Sequence, residues 1–269
     1  MSQSNTDPSG ADTPILLRRQ QGAVLSLTLN RPRAGNALSS ALIEALQNEF
    51  DRLMDDRSVH VVVIDAQGKL FCTGHDLKEV QDANDPQFLR ALGQRCSVMM
   101  QAIAALPQPV IAKVRGIATA AGCQLAAACD LVVAGRSAQF ATPGVNIGLW
   151  CLTPMVALSR TIAPKHAMQM LLSGKLFGAE EAFRFGLVSQ IVEDGQLDEA
   201  VATLAGEIAA KSSFTMALGK QAFYGQLELT TAQAYDYACE LLPANMAHPD
   251  AKEGIQAFID KRPARWKGR

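Results

Sequence analysis

Hydrophobic and polar residues alternate near the start of the chain, which is the pattern of strands with one buried face. Residues 15–30 predict two short strands, broken at Gln21-Gly22, and the alternation is clearest over residues 23–29. Residues 59–65 form instead a continuous β-branched run, which is typical of a strand buried on both faces. The first third of the chain therefore predicts a sheet that begins at an edge and continues into a buried centre.

Apolar residues at helical spacing follow these strands. Ser39 or Ser40 can cap a first helix, and its apolar positions are Leu42, Ile43, Leu46, Phe50 and Leu53. Residues 121–128 predict a helix of small residues, between strands predicted at 110–114 and 131–134. Strands and helices alternate in this way to about residue 205, which indicates the α/β class.

The last part of the chain has a different pattern of elements, with helices alone, predicted at 217–228, 231–242 and 252–259. No linker rich in Gly, Ser or Pro separates it from the preceding part. We predict three regions, which are a disordered tail over residues 1–13, a core over 14–205 and a helical region over 206–269.

Composition narrows the classes of function. The 269 residues are 48% hydrophobic and 19% charged, which is typical of a globular protein. The 25 basic and 26 acidic residues leave a net charge of −1, which argues against a partner such as nucleic acid or an anionic membrane. An aromatic content of 6% is low for stacking on single-stranded nucleic acid. A small polar ligand fits this composition.

Three features bear on location. Residues 116–135 are the longest apolar run, but Gln124 and Asp130 within it favour a buried core helix over a membrane span. The polar N-terminus shows no signal or transit peptide pattern. The six cysteines form no C-x-x-C pair and are expected to be buried free thiols in a reducing compartment. We therefore expect a cytoplasmic protein.

Two loops carry the candidate chemistry of the sequence. The phosphate-binding, dinucleotide-binding and hydrolase glycine motifs are missing, and the four histidines are too widely spaced to indicate a metal site. Residues 71–79 and 116–124 each follow a strand, contain small residues and enter a helix. Helix N-termini present unpaired N–H groups, so two of them together could form an oxyanion hole for a thioester or enolate oxygen. Close packing is the alternative explanation of the small residues.

The order of short motifs resembles the crotonase, or enoyl-CoA hydratase/isomerase, superfamily from about Leu27 to the C-terminus. The motifs lie at residues 29–32, 36–38, 74–79, 109–116, 122–126, 129–130, 140–143, 172–174, 179–182 and 186–188. This resemblance implies a ClpP-like spiral of ββα units with a C-terminal helical trimerisation region. It also implies acyl-CoA thioester substrates of fatty-acid or acyl-CoA metabolism, and a homotrimer or a dimer of trimers.

The resemblance also assigns roles to individual residues. The backbone N–H groups of His75 and Ala121 would polarise the thioester carbonyl. Contacts with substrate and coenzyme A would come from Arg33, His75, Asp76, Leu77, Lys78 and Ala121. Coenzyme A would be part of the substrate, and we predict neither a tightly bound cofactor nor a metal.

Two departures from the family pattern concern the chemistry. Hydratases of this family use two glutamates, and those positions hold Gln124 and Gly144 here. Between Asp85 and Glu180 the sequence has one carboxylate, Asp130. Hydration needs an acid and a base, each typically worth about 10²–10⁴ in rate, and a glutamine cannot accept the proton of water near neutral pH. We therefore expect weak hydration.

Several groups could replace the missing carboxylates. His75 titrates near neutrality and is a candidate base, although local packing is the alternative. Cys123 or Cys151 could act as a nucleophile, or be a buried apolar residue. Asn146 could orient water or form a turn, and Asp130 is expected to be structural. Two hypotheses remain open, an acyl-CoA enzyme related to enoyl-CoA hydratase and a non-catalytic acyl-CoA-binding or assembly subunit.

Overall fold

The computed structural model describes residues 14–268, so the tail predicted for residues 1–13 lies outside the described residues. The strands are β1 (Leu16–Gln21), β2 (Val24–Leu29), β3 (Val61–Ala66), β4 (Val110–Val114), β5 (Ile117–Thr119), β6 (Leu131–Gly135), β7 (Gln139–Ala141), β8 (Phe177–Gly178) and β9 (Gln190–Val192). The helices are α1 (Ser40–Leu53), α2 (Leu77–Ala83), α3 (Pro86–Ala105), α4 (Ala121–Ala128), α5 (Leu152–Thr161), α6 (Pro164–Ser173), α7 (Ala179–Phe185), α8 (Leu197–Ala209), α9 (Ser213–Gln226), α10 (Thr231–Ala247) and α11 (Pro249–Ile259). Short 3₁₀ helices lie at Pro32–Ala34, Pro143–Ile147 and Asp194–Gln196.

A six-stranded sheet forms the centre, in the order β1-β2-β3-β4-β6-β9. The predicted break at residues 21–22 is confirmed as the turn between β1 and β2, which pair antiparallel. All the other neighbours in this sheet are parallel. The carboxyl ends of the parallel strands therefore share one edge, and the loops that follow β3 and β4 leave from it.

A second, three-stranded sheet has the order β5-β7-β8. Its strand β5 follows β4 and precedes α4, and β7 follows β6 and precedes α5. This repeat of two strands and a helix is the predicted spiral of ββα units. The sequence pattern predicts only a turn at Gly116 and misses β5 and β7, because a three-residue strand is too short to show a periodicity.

The main sheet is covered on both faces, as the β-branched run predicts. On one face lies the large hydrophobic core, to which α1 and α3 contribute. On the other face, a smaller cluster joins the sheet to α8 and contains Val61, Val63, Ile111, Val133, Leu197, Val201 and Ala205. The predicted region boundary at residue 205 falls inside α8.

The predicted C-terminal helices are present with different bounds. Helix α9 starts at Ser213, because the side chain of Ser212 caps it by accepting a hydrogen bond from the N–H of Thr215 (3.2 Å). Helix α10 continues past Pro243 to Ala247. Cys239 on α10 is exposed, so the expectation that every cysteine is buried is wrong at this position.

The long apolar run is internal, as predicted. Residues 116–135 form a turn, β5, α4 and β6, and α4 is buried along most of its length. Within residues 14–268, no helix combines the length and apolar character needed to cross a membrane.

Candidate active site

A buried asparagine fixes the loop that follows β3. Asn36 has a φ of 53° and is fully buried. Its Nδ2 donates to the carbonyls of Gln67 (2.9 Å) and Leu70 (2.8 Å), and its Oδ1 accepts from the N–H of Arg31 (2.8 Å). Because these three hydrogen bonds satisfy a buried side chain, they hold the 31–37 and 67–70 segments together.

The backbone at His75 is oriented by its neighbours. Leu38 donates to the carbonyl of Gly74 (2.7 Å) and accepts from the N–H of Asp76 (3.3 Å). In extended backbone, successive residues direct their polar groups to opposite sides. The N–H of His75 therefore faces away from Leu38, and no hydrogen bond found in residues 14–268 uses it.

An ion pair and two caps hold the same loop from outside. Arg31 Nη2 lies 2.8 Å from Asp76 Oδ2, and the Arg31 guanidinium holds the pKa of Asp76 below its ordinary range. The Asp76 carboxylate also accepts from the N–H groups of Lys78 and Glu79 at the start of α2. The Glu79 carboxylate in turn accepts from the N–H of Ser40 (2.9 Å).

The second loop ends at Ala120, the N-cap residue of α4. Ala120 has φ 49° and ψ −121°, its N–H donates to the carbonyl of Ala141 (2.9 Å), and no side chain caps the helix. Ala121 is the first helical residue, so its N–H has no partner within the helix. Among the described residues, no acceptor is found for it.

The two loops meet at Gly74. A methyl group added to Gly74 would lie 2.8 Å from Ala120 Cβ and 3.3 Å from the backbone nitrogen of Ala121. The contact continues along the chain, because Thr119 donates to the carbonyl of Cys72 (2.9 Å). The structure thus brings together the two segments predicted to carry the paired N–H groups.

Three buried polar atoms around this contact have no hydrogen-bond partner in the described part of the chain. They are His75 Nε2, Gln124 Oε1 and Thr142 Oγ1. Gln124 is 4% exposed and Thr142 is 1% exposed. Buried polar atoms in native proteins are nearly always hydrogen-bonded to protein, water or ligand, so these atoms indicate a place for a polar molecule.

Gly144 is closely surrounded. It lies in the 3₁₀ helix that follows β7, and a methyl group added to it would lie 2.8 Å from the Leu149 carbonyl oxygen and 3.1 Å from Cys151 Sγ. Leu149 is held there because its N–H donates to the carbonyl of Gly144 (2.9 Å). The space where a glutamate side chain would begin is therefore occupied by backbone.

The titration of the candidate bases and nucleophiles favours a neutral site. Burial lowers the pKa of His75 below its ordinary value of 6.5, and the nearby Glu79 carboxylate opposes this shift. His75 is therefore an uncharged imidazole near neutral pH. Burial raises the pKa of the Cys123 thiol to about 12, and burial also raises the pKa of Cys151. Both thiols are protonated near neutral pH, which argues against nucleophilic roles.

The side chains of two other candidates, Asp130 and Asn146, make hydrogen bonds that hold the fold together. Asp130 lies 2.7 Å from Lys220 Nζ and accepts from the Tyr224 hydroxyl (2.8 Å) and the N–H of Val110 (2.6 Å). These contacts attach α9 to the end of α4 and to β4, which is the structural role expected for Asp130. The Asn146 amide donates to the carbonyl of Gly174 (3.0 Å), 28 positions further along the chain, so this side chain joins two distant loops.

The candidate coenzyme A contacts lie at the surface beside the loop. Arg33, Leu77 and Lys78 are exposed. Asp76 is half-buried, and its carboxylate is used by Arg31 and by the cap of α2. The Asp76 side chain is therefore committed to positioning the loop, which leaves its backbone for a ligand.

The model of the family described as "Enoyl-CoA hydratase/isomerase" matches residues 19–269. The chain belongs to this family. Enoyl-CoA hydratase domain-containing protein 3, mitochondrial, of Mus musculus is 41% identical over 267 residues, which are 98% of this chain and 89% of that protein. The Homo sapiens protein of the same name is 41% identical over 265 residues, 97% of this chain and 88% of that protein.

Solved structures agree with this assignment. An enoyl-CoA hydratase of Mycobacterium smegmatis has a TM-score of 0.93 and 47% identity, over 94% of this chain and 99% of that one. The human enoyl coenzyme A hydratase domain-containing protein 3 has a TM-score of 0.92 and 40% identity, over 94% of this chain and 100% of that one. The family resemblance and the crotonase fold predicted from the sequence are confirmed.

The expectation of a cytoplasmic protein is contradicted by the same comparisons. The mouse, rat, zebrafish and human relatives are all named mitochondrial. These names point to the mitochondrion and not to the cytoplasm. The scattered cysteines indicate only a reducing environment, which does not distinguish the two compartments.

Sequence reasoning missed how some residues of the recognised motifs organise this site. The turn at Asn36 could have been predicted, since asparagine commonly adopts the left-handed conformation in turns. The Arg31–Asp76 pair joins residues 45 positions apart, and no local pattern indicates it. Thr142 also had no signal, because its unpartnered hydroxyl is visible only once β7 is placed beside β5.

Proposed function

We propose that this protein binds acyl-CoA thioesters and polarises the thioester carbonyl with the backbone N–H groups of His75 and Ala121. The observation that carries the proposal is the contact at Gly74, where a methyl group would lie 3.3 Å from the Ala121 nitrogen. Unpaired N–H groups directed at one place stabilise negative charge that develops on an oxygen. A thioester that becomes enolate-like is a substrate of this kind.

The reaction we propose is of the enoyl-CoA hydratase/isomerase type, with weak hydration. Gln124 can hydrogen-bond water but cannot accept its proton, and Gly144 offers only backbone. The neutral His75 imidazole is the proton acceptor next to the paired amides, since its Nε2 has no partner among the described residues. Double-bond isomerisation, which needs one proton acceptor and an oxyanion site, suits this arrangement better than hydration does.

A proline at position 121 tests the amide directly. Ala121 is the first residue of α4, where proline is tolerated in a helix because no N–H is needed there. Ala121→Pro should therefore remove the proposed donor without removing a hydrogen bond of the helix. We expect activity on enoyl-CoA to fall by about 10²–10³, as for the loss of one oxyanion donor. The matched control is Thr231→Pro, at the exposed first position of α10.

The measurements are butyryl-CoA binding by calorimetry and the hydration and isomerisation of enoyl-CoA substrates. Binding with slow hydration supports the proposal, whereas absence of acyl-CoA binding contradicts it. Fast hydration of crotonyl-CoA would show that a carboxylate is not needed. Since proline also constrains Ala120, the circular dichroism spectrum of Ala121→Pro must match that of the wild type before a loss is assigned to the amide.

A second candidate function is a non-catalytic acyl-CoA-binding or assembly subunit. It is favoured by the uncharged Gln124 and by the raised thiol pKa values of Cys123 and Cys151, which leave few groups able to move a proton. Tight binding without any turnover, and no effect of His75→Asn on exchange of the substrate's α-proton, would favour this candidate. Measurable exchange that His75→Asn abolishes would favour the enzyme.

We also propose that the chain forms a homotrimer or a dimer of trimers. Several large apolar side chains are exposed on α10 and around the start of α5, namely Ile147, Leu149, Trp150, Leu152, Tyr235, Leu242 and Met246. Surfaces of this kind usually mark an interface. Analytical ultracentrifugation tests the proposal, and a monomer at micromolar concentration would contradict it.

A further inference from the structure

The backbone of Ala120 is in a region that residues with a side chain avoid. Its φ of 49° and ψ of −121° lie outside the usual left-handed helical region, where ψ is positive, and in a region that glycine enters readily. The other non-glycine residues with positive φ among residues 14–268 are Asn36, Asn84 and Lys261. Asparagine often adopts positive φ because its side chain can hydrogen-bond locally, but alanine has no such compensation. Ala120 is therefore strained.

Three contacts hold Ala120 in this conformation, through its N–H, its carbonyl and its methyl group. Its N–H donates to the carbonyl of Ala141 (2.9 Å), and its carbonyl accepts from the N–H of Gln124 (3.0 Å). Its methyl group occupies the space beside Gly74, where a second methyl would approach to 2.8 Å. Strained residues that persist under such contacts cluster at functional sites, where the strain is part of the mechanism.

Two buried polar side chains on the segments bonded to Ala120 each have an oxygen without a partner, which is independent evidence for a ligand here. The backbone N–H of Gln124 donates to the carbonyl of Ala120, and Thr142 follows Ala141, whose carbonyl accepts from the N–H of Ala120. Gln124 Oε1 and Thr142 Oγ1 are both without a partner among the described residues, and both residues are more than nine-tenths buried. In a helix, a side chain leans towards the N-terminus, so the Gln124 amide lies on the Ala120 side of α4.

We propose that Ala120 is a positioning residue for the thioester carbonyl. Its strained backbone directs the N–H of Ala121 out of α4, and its methyl group keeps the His75 loop at a fixed distance from that N–H through Gly74. The inference rests on the proposed function, because it assigns a purpose to the same pair of amides. It differs from that function in naming a residue that touches neither substrate nor reacting atoms.

The test is Ala120→Gly, read by stability and by spectroscopy. Glycine removes the strain, so we expect Tm to rise by about 2–4 °C, the shift that a small stabilisation gives in a chain of this size. Glycine also frees the peptide that precedes Ala121 and removes the methyl spacer. We therefore expect the ¹³C carbonyl resonance of bound [1-¹³C]butyryl-CoA to lose half or more of its wild-type downfield shift at saturation.

The matched control is Lys261→Gly, which removes a positive-φ side chain at an exposed position after α11. It should raise Tm and leave the carbonyl resonance unchanged. An unchanged resonance in Ala120→Gly at saturation overturns the positioning role, and so does a lower Tm, because that result contradicts the strain. A wild-type protein that binds butyryl-CoA without a downfield shift, or does not bind it, overturns the proposed function and this inference with it.

Discussion

The substitution Gln124→Glu would return a carboxyl group to the site while nearly preserving the volume of the side chain. Gln124 is 4% exposed and its Oε1 has no partner among the described residues, so a carboxyl group of the same shape breaks no hydrogen bond at that oxygen. Its burial without a cation should raise the pKa of the new carboxyl above the usual 4.3 or so of glutamate. The group should therefore ionise, and act as a base, only as pH rises.

The size of the effect follows from the number of groups restored. Each acid or base typically contributes about 10²–10⁴ to the rate, and only one of the two is returned here. We expect crotonyl-CoA hydration to increase by about 10²-fold, which corresponds to about 2.7 kcal/mol of barrier. The increase should grow with pH through the raised pKa of the new carboxyl.

The assay is the initial rate of crotonyl-CoA hydration from pH 6 to about pH 9, a span that covers raised glutamate pKa values. The matched control is Gln108→Glu, because Gln108 is also a buried glutamine with an unpartnered Oε1, and lies between α3 and β4, away from the site. That control should lose stability and gain no hydration. An unchanged rate in Gln124→Glu, with butyryl-CoA bound as in the wild type, would refute the reasoning, because a base beside the amides would then be insufficient.

Gly144, the second position at which the resemblance implies a glutamate, cannot take one in the same way. A side chain at Gly144 would meet the Leu149 carbonyl oxygen at 2.8 Å, so the 3₁₀ turn must move before a carboxyl group can enter. Such overpacking typically costs about 1–3 kcal/mol. We therefore expect Gly144→Glu to lower the free energy of unfolding, and the double substitution to gain less hydration than two independent groups would give.

Other expected outcomes concern stability. Lys220→Met should lower the free energy of unfolding in urea by about 3–5 kcal/mol, because it leaves the Asp130 carboxylate buried without its cation. Lowering the pH below 6.5, the ordinary pKa of histidine, should destabilise the wild type relative to His75→Asn. The reason is that unfolded His75 then gains a proton, whereas folded His75, with its lowered pKa, gains it only at lower pH. Gly116→Ala should cost at least about 2 kcal/mol in the same urea assay, since its methyl would overlap the carbonyl oxygen of Lys69.

Most of the fold could be predicted from the sequence because its large elements have strong periodicity. The buried strand β3 and the helix α1 follow from the residue pattern alone, although the pattern leaves the cap of α1 open between Ser39 and Ser40. The strands of the second sheet were missed, because they are two or three residues long and their pairing depends on distant segments. Helix ends also differed, as at α10, where the pattern stops before Pro243 and the helix does not.

The site was predictable where it depends on residue type and unpredictable where it depends on geometry. The absence of acidic residues at positions 124 and 144 can be read directly from the sequence. The strained φ of Ala120 cannot, because alanine ordinarily indicates a helix and nothing local shows that its neighbour is Gly74. The ion pair between Asp76 and Arg31 likewise depends on tertiary structure. Because it occupies the Asp76 carboxylate, that side chain is no longer a candidate contact for coenzyme A.

The two positions at which the family resemblance implies glutamates therefore differ in what they allow. At Gln124 the shape and the hydrogen-bonding capacity remain and only the charge is gone, whereas at Gly144 the space itself is taken by the Leu149 carbonyl. A site that had merely lost its acid and base would keep both spaces open. A reaction that uses one polar side chain beside two backbone N–H groups needs only the space that the Gln124 side chain occupies. Isomerisation or binding of a thioester meets that requirement, and addition of water, which needs two proton-moving groups, does not.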